Sequence, residues 1–152
     1  MARYLLILAV VAATQAGDGS CQAGGDPART QVCYVDTRGV RVESEGALVV
    51  DVITARCQVP PREHRLEGWL EYRSGIWGEW TRPRGPELLY GDPGPEGEPL
   101  RVELPCKAGY YRAAWRVTGR GPSLPDHPGG IPFDIQDGDF GSTPVDATEC
   151  GG

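Results

Sequence analysis

Two segments of this chain, residues 66–73 and 110–117, alternate between inward- and outward-reading side chains, and no long stretch carries apolar residues at helical spacing. Period-2 alternation belongs to a strand with one face buried and the other wet. In the first segment Leu66, Gly68, Leu70 and Tyr72 share the inward face, and Glu67, Trp69, Glu71 and Arg73 the outward one. In the second, Tyr111, Ala113, Trp115 and Val117 face in, and Tyr110, Arg112, Ala114 and Arg116 face out. Residues 47–57 are largely apolar on both faces, as expected of a central strand. Shorter strands are expected at 31–36, 40–44, 76–81, 88–90, 100–104 and 131–135, the last on a sheet edge because Pro132 lacks a ladder donor. The 76–81 segment reads as the return strand of a hairpin turned by Ser74 and Gly75. The 22 glycines and 14 prolines supply turns and disfavour helix interiors. Residues 91–99 form three Gly-X-Y triplets, too few for a triple helix, and read as an inter-strand loop. The expected fold is all-β, a sandwich of about seven or eight short antiparallel strands.

Residues 1–16 read as a signal peptide: Arg3, then an apolar run of 9 residues, then small residues ending at Ala16. That run is too short to span a bilayer, which takes about 20 residues, so no stable membrane span is expected. The expected organisation is a signal at 1–16, a flexible leader at 17–29, a β-sandwich domain at 30–136 and a flexible tail at 137–152. Without residues 1–16 the chain keeps 14 basic and 21 acidic side chains, a balance of −7. Such a surface argues against nucleic acid and against anionic membranes, both of which need basic patches.

An exported chain is expected to oxidise its cysteines, here Cys21, Cys33, Cys57, Cys106 and Cys150. Cys57 ends one strand signal and Cys106 precedes another, so that pair is the first expected bridge. The second joins Cys33 to Cys21 or Cys150. The odd cysteine is left free, joins two copies in a disulfide-linked dimer, or carries a lipid at Cys21, although Asp18 departs from a lipidation motif. No CxxC pair is present, so no metal site is expected, and no cofactor is implied.

The layout Cys57, Trp69, Cys106 resembles that of an immunoglobulin-like domain, which implies an immunoglobulin-like sandwich. One departure is visible: the tyrosines follow Cys106, whereas in immunoglobulins a Tyr stands two residues before the second Cys. The strings CQVPPREHRLEGWLEYRSGIW and LPCKAGYYRAAWRVTG also resemble small exported proteins of actinobacteria and their phages, over residues 47–135. That resemblance implies a fold and a compartment and no particular reaction.

Catalytic chemistry finds little support in the chain. The two histidines, His64 and His127, read as exposed loop residues, and neither GxSxG nor HExxH occurs. Glu67 and Glu71 share a strand face about 13 Å apart, too far for a glycosidase pair. Glu43 and Glu45 occupy a turn. Asp134, Asp137 and Asp139 lack EF-hand spacing and read as an acidic loop. Binding fits better. Trp69, Tyr110, Arg112 and Arg116 face outward, and Trp77 and Trp80 flank a hairpin start; exposed Trp, Tyr and Arg are enriched at interfaces. The competing reading is a self-satisfied ladder of stacked Arg and Trp with Glu pairing. The expectation is a secreted or cell-surface, non-catalytic module for an extracellular protein or glycan, with a small secreted hydrolase or enzyme inhibitor as the alternative.

Overall fold

The computed structural model describes residues 19–22, 32–137 and 141–151. The expected signal segment and much of the expected leader lie outside the described residues. Ten strands follow in order: β1 Gly19–Gln22, β2 Val32–Thr37, β3 Arg41–Glu43, β4 Leu48–Cys57, β5 Glu63–Arg73, β6 Glu87–Tyr90, β7 Glu98–Pro105, β8 Gly109–Arg120, β9 Pro132–Asp137 and β10 Thr143–Val145. They form two antiparallel sheets. In the first, β4 is central, with β2 and β3 end to end along one side, β7 along the other, and β1 outside β2. In the second, β8 pairs with β5 over eleven positions, β6 flanks β5, and β9 and β10 share the far side of β8.

The order in which the chain visits the sheets is that of an immunoglobulin-like sandwich. β2–β3, β4 and β7 take the places of strands A, B and E; β5, β6, β8 and β9–β10 take those of C, C′, F and G. A further mark of the fold is the corner before β8. Tyr111 is buried, its hydroxyl donates to the Lys107 carbonyl at 2.8 Å, and it accepts from the Lys107 N–H at 3.1 Å. A tyrosine bonded back across the E–F corner is a feature of immunoglobulin domains. Ala113 stands where such domains carry the second cysteine, so the tyrosine is in place and the cysteine frame is not.

The bridges are Cys33–Cys57 and Cys106–Cys150, which corrects both the expected Cys57–Cys106 pair and the expected pairing of Cys33 with Cys21 or Cys150. The register explains the difference. Cys106 donates its N–H to Ala47 beside the start of β4, whereas Cys57 ends that strand, about 30 Å away at strand rise. Cys57 instead lies directly opposite Cys33. The tail also differs from expectation. Residues 143–145 pair with β8, and Cys150 ties the C-terminal segment to the end of β7. Gly46, at φ +87° in the turn before β4, is where this segment docks; a Cβ there meets the backbone of residues 149–151. β1 in turn falls inside the expected leader.

The inward residues of both alternating segments fill the core. Leu66, Leu70, Tyr111, Ala113, Trp115 and Val117 pack against Val49, Ile53, Leu100, Val102 and Leu104 of the other sheet. Gly68 is the point of closest approach: a Cβ on it falls 2.7 Å from Ile53 and 2.9 Å from Leu100. β4 is central as its two apolar faces require. Its outer residues Val50 and Val52 are buried, in register with Arg41, Glu103 and Arg101. Arg41–Glu43 (2.6 Å), Arg101–Glu43 (2.8 Å) and Arg101–Glu103 (3.1 Å) join these strands in one network beside the valines. Asp51, buried on the inner face, serves a bulge. Residues 38–40 oppose only Asp51 and Val52 between two regular ladders. The Asp51 carboxylate accepts the N–H of Val52 at 2.6 Å and faces the N–H of Gly39 in the bulge, while the Arg38 N–H still donates to the Val52 carbonyl at 3.0 Å.

Candidate functional site

The outer face of the β5–β8 sheet carries most of the residues that alternation places outward. Glu71 lies opposite Arg112, Arg73 opposite Tyr110, and Trp69 opposite Ala114. The segment after β5 does not form the expected return strand at 76–81. Only Thr81 pairs, exchanging two backbone hydrogen bonds of 2.9 Å with Tyr72, and its hydroxyl donates to the same Tyr72 carbonyl at 3.0 Å. Gly75 and Gly78 make the turn that brings the chain back. Trp80 and Arg82 therefore cross over the sheet rather than extend its edge.

A continuous stack results. Two guanidiniums stack on the Trp80 ring, Arg73 at 4.5 Å and Arg112 at 4.3 Å from its centroid. Arg73 also covers Tyr110 at 5.2 Å. Arg112 donates to Glu71 at 2.6 Å, and the indole N–H of Trp69 donates to the other Glu71 oxygen at 3.2 Å. Arg82 closes the row over the Trp69 ring at 4.9 Å. Each Arg–aromatic contact is worth about 0.5–1 kcal/mol where exposed and more where water is excluded. Three of these contacts, Arg73–Trp80, Arg112–Trp80 and Arg82–Trp69, hold the returning segment on the sheet, while Arg73–Tyr110 and the half-buried Arg112–Glu71 pair position the sheet residues they use.

This stack brings Trp69, Tyr110, Arg112 and Trp80 together and leaves Trp77 and Arg116 outside it. Trp69 points outward as expected but is only 6 % exposed, because the returning chain covers it. Arg116 pairs through two nitrogens with Asp134 of β9, at 2.8 and 2.6 Å, and that pairing raises the guanidinium pKa and lowers that of the carboxyl. Trp77 is 96 % exposed at the turn, beside half-exposed Ile76. Sequence reasoning had the competing ladder in view but missed Arg82 as its last member. Arg73 was visible in the β5 alternation; Arg82 follows a chain reversal that no periodicity announces.

The histidines do not build a reaction centre. His64 is not a loop residue: it lies in β5, buried on the inner face, with no hydrogen-bond partner at Nε2. Burial lowers its pKa, and nearby Asp92 opposes that in part. His127 closes an exposed turn with Leu124. Glu67 pairs with Arg65, and Glu71 with Arg112. Among the described residues no cluster of His, Cys, Asp or Glu has metal-site geometry, and no helix is long and apolar enough to cross a membrane. Asp139 lies outside the described residues.

The class these features define is an immunoglobulin-like sandwich carrying a clamped aromatic turn. No family model, curated protein or solved structure matches the chain.

Proposed function

We propose that this chain is an exported, non-catalytic binding module that engages an extracellular protein through the turn carrying Ile76 and Trp77. Two intramolecular disulfides accord with an oxidising compartment. The observation that carries the reading is Trp77, 96 % exposed on a segment the Arg–Trp stack fixes in place. A fully solvated indole contributes nothing to the fold, whereas an indole buried against a partner is the commonest kind of interface hot spot. Fixing the turn beforehand lowers the ordering cost of association. A glycan is the weaker reading, because the Trp80 ring is already covered by two guanidiniums within 4.5 Å of its centroid.

The test uses the intact disulfide-bonded protein and a random displayed-peptide library. The wild type is expected to enrich peptides whose binding falls at least tenfold in Trp77→Ser while the melting temperature is unchanged. Selected peptides that bind Trp77→Ser and wild type equally overturn the reading. A glycan array and a peptide-hydrolysis screen run alongside; turnover lost in the His64→Ala, His127→Ala double variant would mark an enzyme instead.

A further inference from the structure

The sequence of β7 is complementary to its own two-fold image. Pro99-Leu100-Arg101-Val102-Glu103-Leu104-Pro105 reads alike from either end, except that Arg101 and Glu103 exchange sign about Val102. β7 pairs with β4 along one side, and among the described residues no strand occupies the other. The register fixes which groups face that open side. Cys106 donates its N–H to the Ala47 carbonyl at 2.9 Å, so Ala47 and Cys106 form a hydrogen-bonded pair. Bonded and non-bonded pairs alternate along an antiparallel ladder. Leu100, Val102 and Leu104 therefore turn their backbone groups to β4, and Pro99, Arg101, Glu103 and Pro105 turn theirs outward. Within the described residues no hydrogen bond reaches the N–H or carbonyl of Arg101 or Glu103 from the open side. β6, the edge of the other sheet, touches β7 on this same side of the sandwich and carries the exposed Leu88 and Tyr90.

We propose that this edge is a homodimer interface, in which β7 pairs antiparallel with β7 of a second copy about a two-fold axis at Val102. In that register Arg101 lies opposite Glu103 of the second copy, and Glu103 opposite its Arg101. All of these residues turn their backbone outward, so the two copies close four hydrogen bonds. Directly opposed side chains share a face, so each guanidinium also meets a carboxylate. Moving the axis by one residue, to Arg101 or to Glu103, sets like charges against each other. Moving it further brings Pro99 or Pro105, which has no N–H, opposite the outward donors. Prolines and charges blunt sheet edges against unwanted pairing; here they close every register but one. The pairing joins two five-stranded sheets into one continuous sheet. It also brings the β6 edges, with Leu88 and Tyr90, beside the same axis, so the contact extends beyond one pair of strands.

The intact disulfide-bonded protein is followed by sedimentation velocity and by hydrogen exchange over a concentration series from micromolar to millimolar. A dimer is expected to grow with concentration. The Arg101 and Glu103 amides, fast in the monomer, are expected to gain protection in step with it. A protein that stays monomeric throughout overturns the proposal. So does a dimer in which these two amides stay fast, and so does protection already complete in the monomer. Arg101→Glu and Glu103→Arg, each alone, are expected to lose the dimer. Their equimolar mixture is expected to regain it, because one copy then presents two carboxylates and the other two guanidiniums. Single variants that dimerise like wild type, or folded variants whose mixture stays monomeric, overturn the proposal; if a variant does not fold by circular dichroism, the exchange data on wild type decide. Cys21→Ser and Trp77→Ser are expected to dimerise like wild type. Loss of the dimer in either assigns the contact to the odd cysteine or to the Ile76–Trp77 turn, and overturns it too.

Discussion

His64 is taken out of water on the inner face of β5, and an imidazole whose Nε2 has no partner is easier to bury neutral than charged. Its folded-state pKa therefore lies below the ordinary value of 6.5. Between those two values the unfolded chain binds more protons than the folded one, so stability rises with pH there. His64 thus leaves stability intact above about pH 6.5 and erodes it as the solution is acidified further. Asp51 works with the opposite sign: burial raises its pKa above 3.8, and its contribution weakens as pH climbs from there. Thermal melts at pH 8 and pH 5 separate the two. His64→Gln is expected to narrow the fall in Tm between these pH values, and an undiminished fall would assign the acid sensitivity elsewhere. Tyr111 gives a second residue-scale expectation. Tyr111→Phe removes both bonds to Lys107 and keeps the ring, costing about 1–2 kcal/mol. A Tm lower by about 3–8 °C is expected, and an unchanged Tm would show that the corner contributes nothing.

At the scale of the element, the segment between β5 and β6 gains its position from side chains rather than from backbone pairing. Apart from the Tyr72–Thr81 bridge no ladder holds it, yet Trp80 stacks on Arg73 and Arg112. Trp80→Ala therefore removes two stacking contacts and uncovers the sheet face, for about 2–3 kcal/mol in all. Hydrogen exchange is the sensitive readout. The Tyr72 and Thr81 amides, each bonded to the other residue's carbonyl, are expected to lose protection in Trp80→Ala while β4 and β8 core amides keep theirs. Equal protection in variant and wild type would mean that the turn holds itself. Replacing Arg112 by Lys is expected to act in the same direction. An ammonium lacks the planar face that stacks on Trp80 and the fork that reaches Glu71.

Across the whole molecule, strands read well from sequence and closure did not. β5 and β8 were legible because each buries one face, which leaves a period-2 trace, and β4 because both its faces are covered. A β-sandwich showed in the number and alternation of those strands, whereas its immunoglobulin-like character was suggested by Cys57, Trp69 and Cys106, and those two cysteines serve other pairs. Proximity along the chain to a strand end says nothing about which end of the neighbouring strand lies alongside. Only the antiparallel register puts Cys106 beside Ala47 and far from Cys57. The C-terminal segment reads as a tail for a related reason: three strand residues and one cysteine make no periodic signal. Their contribution appears only against β8 and Gly46.

That segment also sets the largest stability expectation. The Cys106–Cys150 bridge closes a sequence separation of 44, and Cys33–Cys57 one of 24. Loop-closure entropy assigns each about 3–4 kcal/mol, the longer loop slightly more. The bridges differ in what surrounds them. Cys33–Cys57 joins strands already paired in register, whereas Cys106–Cys150 anchors a segment otherwise held by β10, a three-residue strand. Cys106→Ser, Cys150→Ser is expected to lower the unfolding free energy by about 3–4 kcal/mol in urea. It should also render residues after β9 susceptible to limited proteolysis while residues 48–120 resist. A double variant that unfolds at the wild-type midpoint with an uncut C-terminus would show that β10 and the contact with the β3–β4 turn suffice, and that the bridge adds no constraint the packing had not already supplied.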